Sequence, residues 1–386
     1  MISRQQLLPH DAAEALLLGR LYDPDRQGPC LVTVDNDALV DITHEGPTMS
    51  RLMERQDIRE VVDKARSRGR RWSIDECLAN IPPNNDHPHL LSPIDLQVIK
   101  AAGVTFVESM LERVVEERAQ GDRHAANRIR EGLVEIIGGA IDSIRPGSPE
   151  AADVKKMLIS EGMWSPYLEV GIGPDPEVFT KAPVLSSVGC GADIGIRSDS
   201  EWNNPEPEVV LVVTSTGMIA GVTLGNDVNL RDIEGRSALL LGEAKDNNAS
   251  CALGPFIRVF DDGFSLDDVR GLDLSLQVEG SDGYVMTGFS SMRNLSRDPG
   301  ELVGHVISDR HQYPDGFVLF TGTLFAPTQD RYVEGEGFTH EVGDVVRIST
   351  ERLGQLSNRV QFSESAPRWT FGLWNLMSNL TARNLI

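Results

Sequence analysis

The stretch PEPEVVLVVTSTGMIAGVTLGND (residues 205–227) decides how this chain folds. Two apolar runs flank TSTG, a turn signal centred near Gly217, and this pattern predicts an antiparallel β-hairpin. Glu206 and Glu208 lie two residues apart at the start of the first run, so both side chains would project from the same face of its strand. A buried strand does not tolerate two unpaired carboxylates, so these acids need a partner.

A third acid joins the pair if the chain reverses about Gly217. Residue numbers of facing residues would then add up to roughly 435, which places Asp227 opposite Glu208 with its Cβ within about 5 Å. Three carboxylates that close cannot all stay ionised without a cation. We therefore expect a site for Mg²⁺, or alternatively Mn²⁺, formed by Glu206, Glu208 and Asp227. The other interpretation is a solvated acidic edge beside a hairpin that does not form.

The sequence on both sides of this hairpin is rich in short β-type runs from about residue 165 to residue 362. EVVLVV, PFIRVF and GFVLFTGTLFA are examples, and Gly, Asp and Asn separate the runs. Few helical patterns intervene, which favours a mixed sheet assembly or barrel over a doubly wound parallel sheet. The predicted fold class is α+β, rich in β-structure.

Three regions are expected along the chain. Residues 1–95 mix short apolar runs with loops and end in a Pro/Asn-rich connector, which predicts a small α+β accessory domain. Residues 96–164 form a connector and helical segment, in which Ser148 and Pro149 open a helix that closes at Gly162. Residues 165–386 form the β-rich domain, whose last 20 residues read as an amphipathic helix that packs on the body or on a partner subunit.

Composition excludes several classes of partner. The net charge is −22, from 36 basic and 58 acidic residues, which argues against nucleic acid and an anionic membrane. An anionic substrate would need a local positive centre. The four cysteines lack CxxC spacing and no apolar run is long enough to span a membrane, so we expect a reduced, cytoplasmic protein.

The sequence after Asp227 completes a known pattern. In order, the chain carries an ExE pair, an NDxxxRD segment, a lysine before a GP turn, and a TGT triplet: Glu206-Pro207-Glu208, Asn226-Asp227 with Arg231-Asp232, Lys245 before Gly254-Pro255, and Thr321-Gly322-Thr323. Together these motifs resemble the fumarylacetoacetate hydrolase superfamily over residues 165–362, and more loosely over residues 92–112. The resemblance implies a fold of mixed, rolled β-sheets around a divalent metal, with residues 165–386 as the catalytic domain.

The resemblance also implies roles for individual residues. Glu206, Glu208 and Asp227 would be the metal ligands. Lys245 would lie beside a bound 2-oxo acid, and Thr323 would hold the carboxylate of that acid. Arg231 would either touch the substrate or buttress the metal loop by pairing with a nearby acid such as Asp232.

One segment departs from the hydrolases and decarboxylases of the superfamily. Those enzymes carry a GxNYxxHxxE segment whose His and Glu activate water. The matching stretch here, GVTFVESMLE, starts at Gly103, has Ser109 at the histidine position and keeps Glu112. The general base that C–C hydrolysis needs is therefore missing from that position.

The chain looks instead like the sugar-acid dehydratase branch of the superfamily. The evidence is the 21-residue interval from Glu206 to Asp227 and the segment PDPEVFTKAP, which contains Glu177 and Lys181. Members of that branch dehydrate 2-keto-3-deoxy-D-pentonates, derived from xylose or arabinose, to 2,5-dioxopentanoate. The likeness implies that Glu177 is catalytic. The chemistry of dehydration suggests Lys245, with its pKa lowered by the nearby metal and by burial, as the base at C3 and Glu177 as the acid for the C4 hydroxyl, although the sequence leaves open which of the two is base and which is acid. For Lys181 a surface lysine or a substrate contact is as good an interpretation as a catalytic role.

Two other functions remain open at this point. One is a C–C hydrolase or decarboxylase acting on an acylpyruvate or another 2,4-dioxo acid. The other is a non-catalytic, metal-binding scaffold that has kept the fold. The superfamily and the apolar C-terminal segment both favour a homodimer or homotetramer.

Overall fold

The computed structural model describes residues 2–386 except for 81, 83–84, 134–143, 324, 326, 328 and 333–336, and the side chains of 127–128 and 131–133 also lie outside the described part. The described α-helices are α1 (Arg4–Leu7), α2 (Met49–Met53), α3 (Ile58–Arg66), α4 (Ile74–Ala79), α5 (Val107–Arg118), α6 (Arg123–Leu133), α7 (Pro149–Ser160), α8 (Pro166–Ile172), α9 (Arg231–Glu234), α10 (Leu241–Lys245), α11 (Leu266–Arg270), α12 (Pro299–Val306) and α13 (Leu373–Ala382).

The described strands fall into two main groups along the chain. Those before residue 200 are β1 (Leu17–Asp23), β2 (Gly28–Asp35), β3 (Ala38–Asp41), β4 (Arg71–Ser73), β5 (His89–Leu91), β6 (Val98–Gly103), β7 (Glu177–Ala182) and β8 (Asp193–Ile196). Those after it are β9 (Asn203–Asn204), β10 (Pro207–Val213), β11 (Ile219–Asp227), β12 (Asn229–Leu230), β13 (Cys251–Val259), β14 (Asp273–Glu279), β15 (Val285–Ser291), β16 (Phe317–Phe320), β17 (Val345–Thr350) and β18 (Gly354–Phe362).

One large mixed sheet joins the N-terminal and C-terminal parts of the chain. Its strand order is β4-β3-β2-β1-β13-β11-β10-β16-β6-β7, with β5 paired to β1. Most neighbours are antiparallel, but β16 and β6 are parallel. This arrangement, together with a second sheet of order β15-β14-β17-β18-β8, confirms the predicted α+β, β-rich fold class.

The main hydrophobic core lies between the two sheets. Leu224 and Phe256 of the large sheet and Ile348 and Leu356 of the second sheet belong to the same buried apolar cluster. Helices α2 and α3 cover the other face of the large sheet with residues of a separate cluster. Each face of the large sheet is therefore buried, and this burial explains its nearly continuous apolar strands.

Strand β10 divides its side chains between these two cores. Val209 and Leu211 point into the core between the sheets, whereas Val210 and Val212 point toward α2 and α3. Because side chains alternate along a strand, Glu208 shares the face of Val210 and Val212. The apolar run that follows the ExE pair therefore anchors the acids in the middle of the large sheet.

The hairpin forms as predicted, but its register is shifted, so that most residues of β10 face a residue two positions earlier in β11 than predicted. Glu208 faces Gly225, and the backbone amide of Asp227 donates to the carbonyl of Glu206 at 3.0 Å. Asp227 is therefore level with Glu206, so the predicted pairing of Asp227 with Glu208 is wrong. The reason is the turn, in which Thr214 and Met218 bond to each other and so centre the reversal on Thr216.

The helices follow the sequence signals closely. Ser148 caps α7 with Pro149 at its first position, and α7 ends at Ser160, two residues before the predicted end. The predicted C-terminal helix is α13, and the Nδ2 of its Asn379 donates to the carbonyl of Arg26, so this helix packs on the body. No helix in the described part of the chain is both long enough and apolar enough to cross a membrane.

Candidate active site

Three carboxylates meet at the start of β10 and the end of β11. One oxygen each from Glu206, Glu208 and Asp227 lies within 4.8 Å of the other two. All three residues are at most 3% exposed. The hairpin therefore gathers the predicted trio even though its register differs from the predicted one.

The charges of this trio are strongly coupled to their surroundings. Burial, together with the neighbouring Asp227 and Glu206, raises the pKa of Glu208 well above its usual value. For Asp227 burial acts in the same direction, but the attraction of Lys181 and Lys245 outweighs it and lowers the pKa. A site made only of carboxylate oxygens, buried and mutually repelling, fits a hard divalent cation such as Mg²⁺ or Mn²⁺.

The TGT triplet holds Glu208 through its glycine. The backbone amide of Gly322 donates to Glu208 Oε2 at 2.7 Å. Gly322 has φ of 98°, and a Cβ added there would lie 1.9 Å from Thr105 Oγ1. Only glycine allows this backbone to approach both Thr105 and the carboxylate. This explains why the middle residue of the TGT triplet is glycine.

Lys245 ends α10 and points at the trio. Its Nζ donates to Glu206 Oε2 and lies 3.3 Å from Asp227 Oδ2. Burial would lower the pKa of Lys245, but the attraction of Asp227, Glu206 and Glu234 outweighs it and raises the pKa above its usual value. The expected lowering rests on burial and a nearby metal ion together; burial alone does not produce it, because three carboxylates stabilise the ammonium form.

Lys181 is the least exposed of the predicted site residues. It lies on β7, with 0% of its surface exposed, so the interpretation as a surface lysine is wrong. Its Nζ lies 2.8 Å from Asp227 Oδ1, donates to the carbonyl of Val228 at 3.2 Å, and also donates to the carbonyl of Lys245. These contacts suit a residue that positions Asp227 and the end of α10.

A small pocket opens beside the trio, and Glu177, Thr323 and Lys245 line it. Burial raises the pKa of Glu177, and the nearby Arg113 and Lys245 only partly offset this effect. The Glu177 carboxylate covers Gly103, where a Cβ would lie 2.0 Å from Oε2. A larger cavity, of about 260 Å³, lies elsewhere, between β5 and the C-terminal segment, and does not include the acidic trio.

The predicted Arg231 is a buttress in this structure. Its Nε donates to Glu116 Oε1 at 2.6 Å, its Nη2 to Glu112 Oε2 at 2.9 Å, and its Nη1 to the carbonyl of Pro327 at 3.0 Å. The guanidinium also stacks on Trp202, 4.4 Å from the ring centre. The acids paired with it come from α5, and Asp232 instead accepts from the backbone amide of Glu201.

Glu112 has no freedom to assist a general base. It accepts two hydrogen bonds from Arg130, at 2.6 and 2.8 Å, in addition to that from Arg231. Burial would raise its pKa, but these guanidinium groups lower it. Ser109, at the position where hydrolases have histidine, donates its hydroxyl to the carbonyl of Phe106 at 2.9 Å.

Sequence reasoning missed a second group of pocket residues. Arg113 Nη1 donates to Glu116 Oε2 at 2.6 Å and lies 2.9 Å from Glu234 Oε2, while its Nη2 donates to Glu206 Oε1. Burial raises the pKa of Glu234 to about 7. A signal was present, because residues 109, 112, 113 and 116 share one face of a helix and are all polar. When polar side chains line one face of a buried helix, they indicate a network of hydrogen bonds and ion pairs at a functional site.

Comparison with known proteins shows what the chain is similar to. Residues 171–361 match the model of the fumarylacetoacetate (FAA) hydrolase C-terminal family. The chain is 34% identical over 186 residues to the 2-dehydro-3-deoxy-D-arabinonate dehydratase of Saccharolobus solfataricus. The aligned region covers 48% of this chain and 59% of that relative. It is 35% identical over 194 residues to a probable 2-keto-3-deoxyxylonate dehydratase of Haloferax volcanii, covering 50% of this chain and 63% of that protein.

The fold has a close counterpart among solved structures. A structure of 2-keto-3-deoxy-D-arabinonate dehydratase, complexed with magnesium and 2,5-dioxopentanoate, superposes with a TM-score of 0.61 at 24% identity. The superposition covers 90% of this chain and 99% of that one. Sequence similarity to the curated relatives spans less than two thirds of their length, whereas the shared fold extends over most of the chain.

Proposed function

We propose that the protein is a divalent-metal-dependent dehydratase of 2-keto-3-deoxy-D-pentonates, with residues 171–361, which match the model of the fumarylacetoacetate hydrolase C-terminal family, as the part that holds its active site. The product would be 2,5-dioxopentanoate, and the preferred ion Mg²⁺, with Mn²⁺ as the alternative. The observation that carries the proposal is the buried trio of Glu206, Glu208 and Asp227, with Lys245 in contact with it. Glu177 lines the same pocket.

The curated relatives support the substrate class. Two proteins that are 34% and 35% identical to about half of this chain are named as dehydratases of a 2-keto-3-deoxy-pentonate, one for the arabinonate and one, as probable, for the xylonate. A substrate of this kind has a carboxylate next to a ketone, and this pair of oxygens suits an ion held by three carboxylates. Thr323 lines the pocket where that carboxylate would bind.

The proposed chemistry assigns one proton to each of two residues. When bound, Mg²⁺ supplies a Lewis acid that makes the C3 protons of a chelating 2-oxo acid more acidic. Lys245 takes a C3 proton, and Glu177, whose pKa is raised by burial, gives its proton to the departing C4 hydroxyl. Water leaves from C3 and C4 and a C3=C4 double bond forms. Transfer of a proton from C5 to C3 then gives an enol at C4 and C5, and its ketonisation gives the aldehyde of 2,5-dioxopentanoate.

Lys245 needs a change in its surroundings before it can act as a base. Its ammonium form is stabilised by Glu206 and Asp227, the same carboxylates that form the candidate metal site. Neutralising those carboxylates with a cation removes the main attraction that raises the pKa of Lys245. The metal ligands and the base are thus coupled by direct contact.

The hydrolase or decarboxylase alternative has less support from the site. Ser109 cannot replace an imidazole as a general base, and Glu112 is held by Arg130 and Arg231. Water activation by a His–Glu pair therefore has no counterpart on α5. A non-catalytic scaffold would not need Glu177 and Lys245 in the pocket beside the trio.

The proposal is tested by replacing the two residues that move protons. We expect Lys245→Met and Glu177→Gln each to lower turnover of 2-keto-3-deoxy-D-xylonate or -arabinonate by roughly 100- to 10,000-fold, while Mg²⁺ still binds. Aldehyde formation, coupled to an NAD(P)-linked semialdehyde dehydrogenase, is the measurement. Lys156→Met is the matched control, because Lys156 is exposed on α7.

The same assay separates the alternatives. Formation of two acids from an acylpyruvate, with no aldehyde from the pentonates, would favour the hydrolase. Silence of the Mg²⁺-loaded protein across a panel of 2-oxo acids would favour the scaffold. Near-normal turnover by either variant would remove that residue from the mechanism.

We further propose that the protein is a cytoplasmic homodimer or homotetramer, with residues 165–386 as its catalytic domain, residues 1–95 as an accessory domain and residues 96–164 as connector and helical segment. The four cysteines are buried as free thiols, which suits a reducing compartment. Trp374 and Met377 leave an exposed apolar face on α13, which suits contact with another subunit. Light scattering coupled to size-exclusion chromatography measures the assembly.

A further inference from the structure

The pocket beside the trio is crowded with negative charge. Among the described residues that line it, Glu177, Glu206, Glu208, Asp227 and Glu234 are acidic, and Arg113 and Lys245 are cationic. The whole chain carries a net charge of −22. An anionic ligand would be repelled by these acids, so its binding depends on the positive side chains that face this pocket.

Of the two cations, Arg113 is the permanent one. A guanidinium stays protonated at any physiological pH. Lys245 has to give up its proton if it acts as a base, as the proposed function requires. During such a reaction Arg113 is the positive side chain that remains among the described lining residues.

Arg113 lies at the end of the pocket where Thr323 also lies. A second, smaller cavity adjoins the pocket, and the two share Ser109, Arg113, Glu206 and Thr323. These four residues therefore mark the boundary between the cavities. Arg113 and Thr323 face the same space, in which Thr323 is the residue expected to hold a substrate carboxylate.

The Arg113 side chain is held rigidly but retains free donors. Nη1 is engaged by Glu116 and Glu234, and one hydrogen of Nη2 by Glu206. Nε–H and the second hydrogen of Nη2 have no hydrogen-bond acceptor among the described residues. The exposed fraction of the Arg113 side chain is 10%. A guanidinium fixed on one side and open on the other is preorganised to bind a carboxylate.

Arg231 is less suited to this role. Its side chain is 2% exposed, and all three of its nitrogens donate to groups of the protein. Its stacking on Trp202 fixes the plane of the guanidinium as well. The arginine predicted for substrate contact therefore supports α5, and α5 in turn presents Arg113.

We propose that Arg113 recognises the carboxylate of the 2-oxo acid and so determines that the site takes anionic 2-oxo acids. Thr323 lies beside this carboxylate position, but its hydroxyl donates to the carbonyl of Phe325 at 2.9 Å, so Arg113 supplies the donors. The inference rests on the proposed function, because it takes a 2-oxo acid as the ligand. It assigns a substrate contact to α5, the helix that in hydrolases of the superfamily carries the water-activating pair.

The test measures binding without turnover. Isothermal titration of the Mg²⁺-loaded protein with 2-oxobutyrate gives the affinity for the 2-oxo acid group alone. We expect Arg113→Gln to weaken this affinity roughly 10- to 100-fold, as expected for loss of a charge-assisted hydrogen bond. Arg113→Lys should recover only part of the loss, because one ammonium cannot bridge Glu116, Glu206 and a ligand at once.

A matched control separates recognition from stability. Arg130→Gln also removes a guanidinium from the charged network of α5, but Arg130 is not among the described residues that line the pocket. It should change the thermal midpoint and leave 2-oxobutyrate affinity within about two-fold of the wild-type value. Affinity for 2,3-butanedione, which has no carboxylate, should be the same in Arg113→Gln and the wild type.

Three results would overturn the inference. The first is unchanged 2-oxobutyrate affinity in Arg113→Gln. The second is an equal loss for 2,3-butanedione. The third is a parallel loss of Mg²⁺ affinity, measured by titration with MgCl₂ alone, which would show that Arg113 acts only through Glu206. If wild-type protein binds 2-oxobutyrate through Arg113 yet dehydrates no pentonate, the inference stands and the proposed function fails.

Discussion

Gly322 is confined by the site on two sides. Its amide bonds Glu208, its φ is 98°, and Thr105 occupies the space of a side chain. We expect Gly322→Ala to weaken Mg²⁺ binding at least about 10-fold and to lower the free energy of unfolding by about 2–3 kcal/mol, because the backbone must shift away from Glu208. Calorimetric titration with MgCl₂ and urea unfolding measure the two effects.

Gly283 offers a control for the backbone strain alone. It has φ of 87°, and nothing lies within 4 Å of an added Cβ. Gly283→Ala should therefore lose stability without losing Mg²⁺ affinity. Equal Mg²⁺ affinity in both variants would show that the amide of Gly322 does not matter for Glu208.

Lys181 provides a second test at the level of one side chain. We expect Lys181→Met to lower the free energy of unfolding by about 3 kcal/mol, because a buried Asp227 loses one of its two cations. Added Mg²⁺ should restore part of this loss by supplying positive charge to the same carboxylate. Thermal melts with and without MgCl₂ measure it. A changed KM with unchanged stability would instead favour the substrate-contact interpretation.

Some residues of the site could be predicted from the sequence and others could not. Glu206, Glu208 and Asp227 could be grouped because they belong to one hairpin and their spacing is local. Arg113 could not, because its contact with Glu206 joins residues 93 positions apart. Its role depends on where α5 docks, and no local pattern specifies that position.

Among the structural elements, α5 is attached to the site mainly by charge. Glu112 and Glu116 on α5 bind Arg231 on α9, and Arg113 on α5 binds Glu206 next to β10. Removing one partner of such a buried pair leaves an uncompensated charge, which is strongly destabilising. The helix therefore has one favourable position relative to the trio.

The segment that leads into β17 contains another buried charge cluster. Burial would raise the pKa of Asp344, but hydrogen bonds from His340 and Arg331 lower it to about 2. Because the folded pKa lies below the usual 3.8, the stabilisation is complete above about pH 4 and is lost as the pH falls toward 2.

We expect this linkage to appear in Asp344→Asn. Its free energy of unfolding should be lower than that of the wild type by about 3 kcal/mol near neutral pH, because Arg331 loses a buried partner. The difference should shrink as the pH falls below about 4, because there the carboxylate takes up a proton in the unfolded chain while the folded protein still holds it ionised. Urea unfolding at several pH values measures it. A difference that grows with acidity would contradict the assigned pairing.

The strands could be located from sequence, but their order could not. The β-type runs and the helix caps are local signals, and they are found where expected. The parallel pairs β16–β6 and β18–β8 join strands far apart in the chain, so their choice depends on tertiary packing. The register of the β10–β11 hairpin differs from the predicted one because hydrogen bonds between Thr214 and Met218 centre the turn on Thr216 rather than on Gly217.

For the molecule as a whole, the net charge of −22 should oppose the approach of an anionic substrate. We expect kcat/KM to rise about two- to three-fold between 10 and 150 mM NaCl at saturating Mg²⁺, because salt screens this long-range repulsion. Initial rates of aldehyde formation measure it. A fall in kcat/KM over this range would indicate a locally positive entrance to the pocket.

The continuity of the large sheet has a consequence for truncated versions of the protein. β1 lies beside β13, and β6 lies beside β16, so strands from the first 103 residues flank the β13-β11-β10-β16 group on both sides. A fragment that begins near residue 165 would leave the hydrogen-bonding groups of β13 and β16 open to solvent. Such unprotected strands are templates for pairing between molecules, so the isolated C-terminal region should aggregate. The N-terminal strands thus cover two strand edges that could otherwise pair with other molecules.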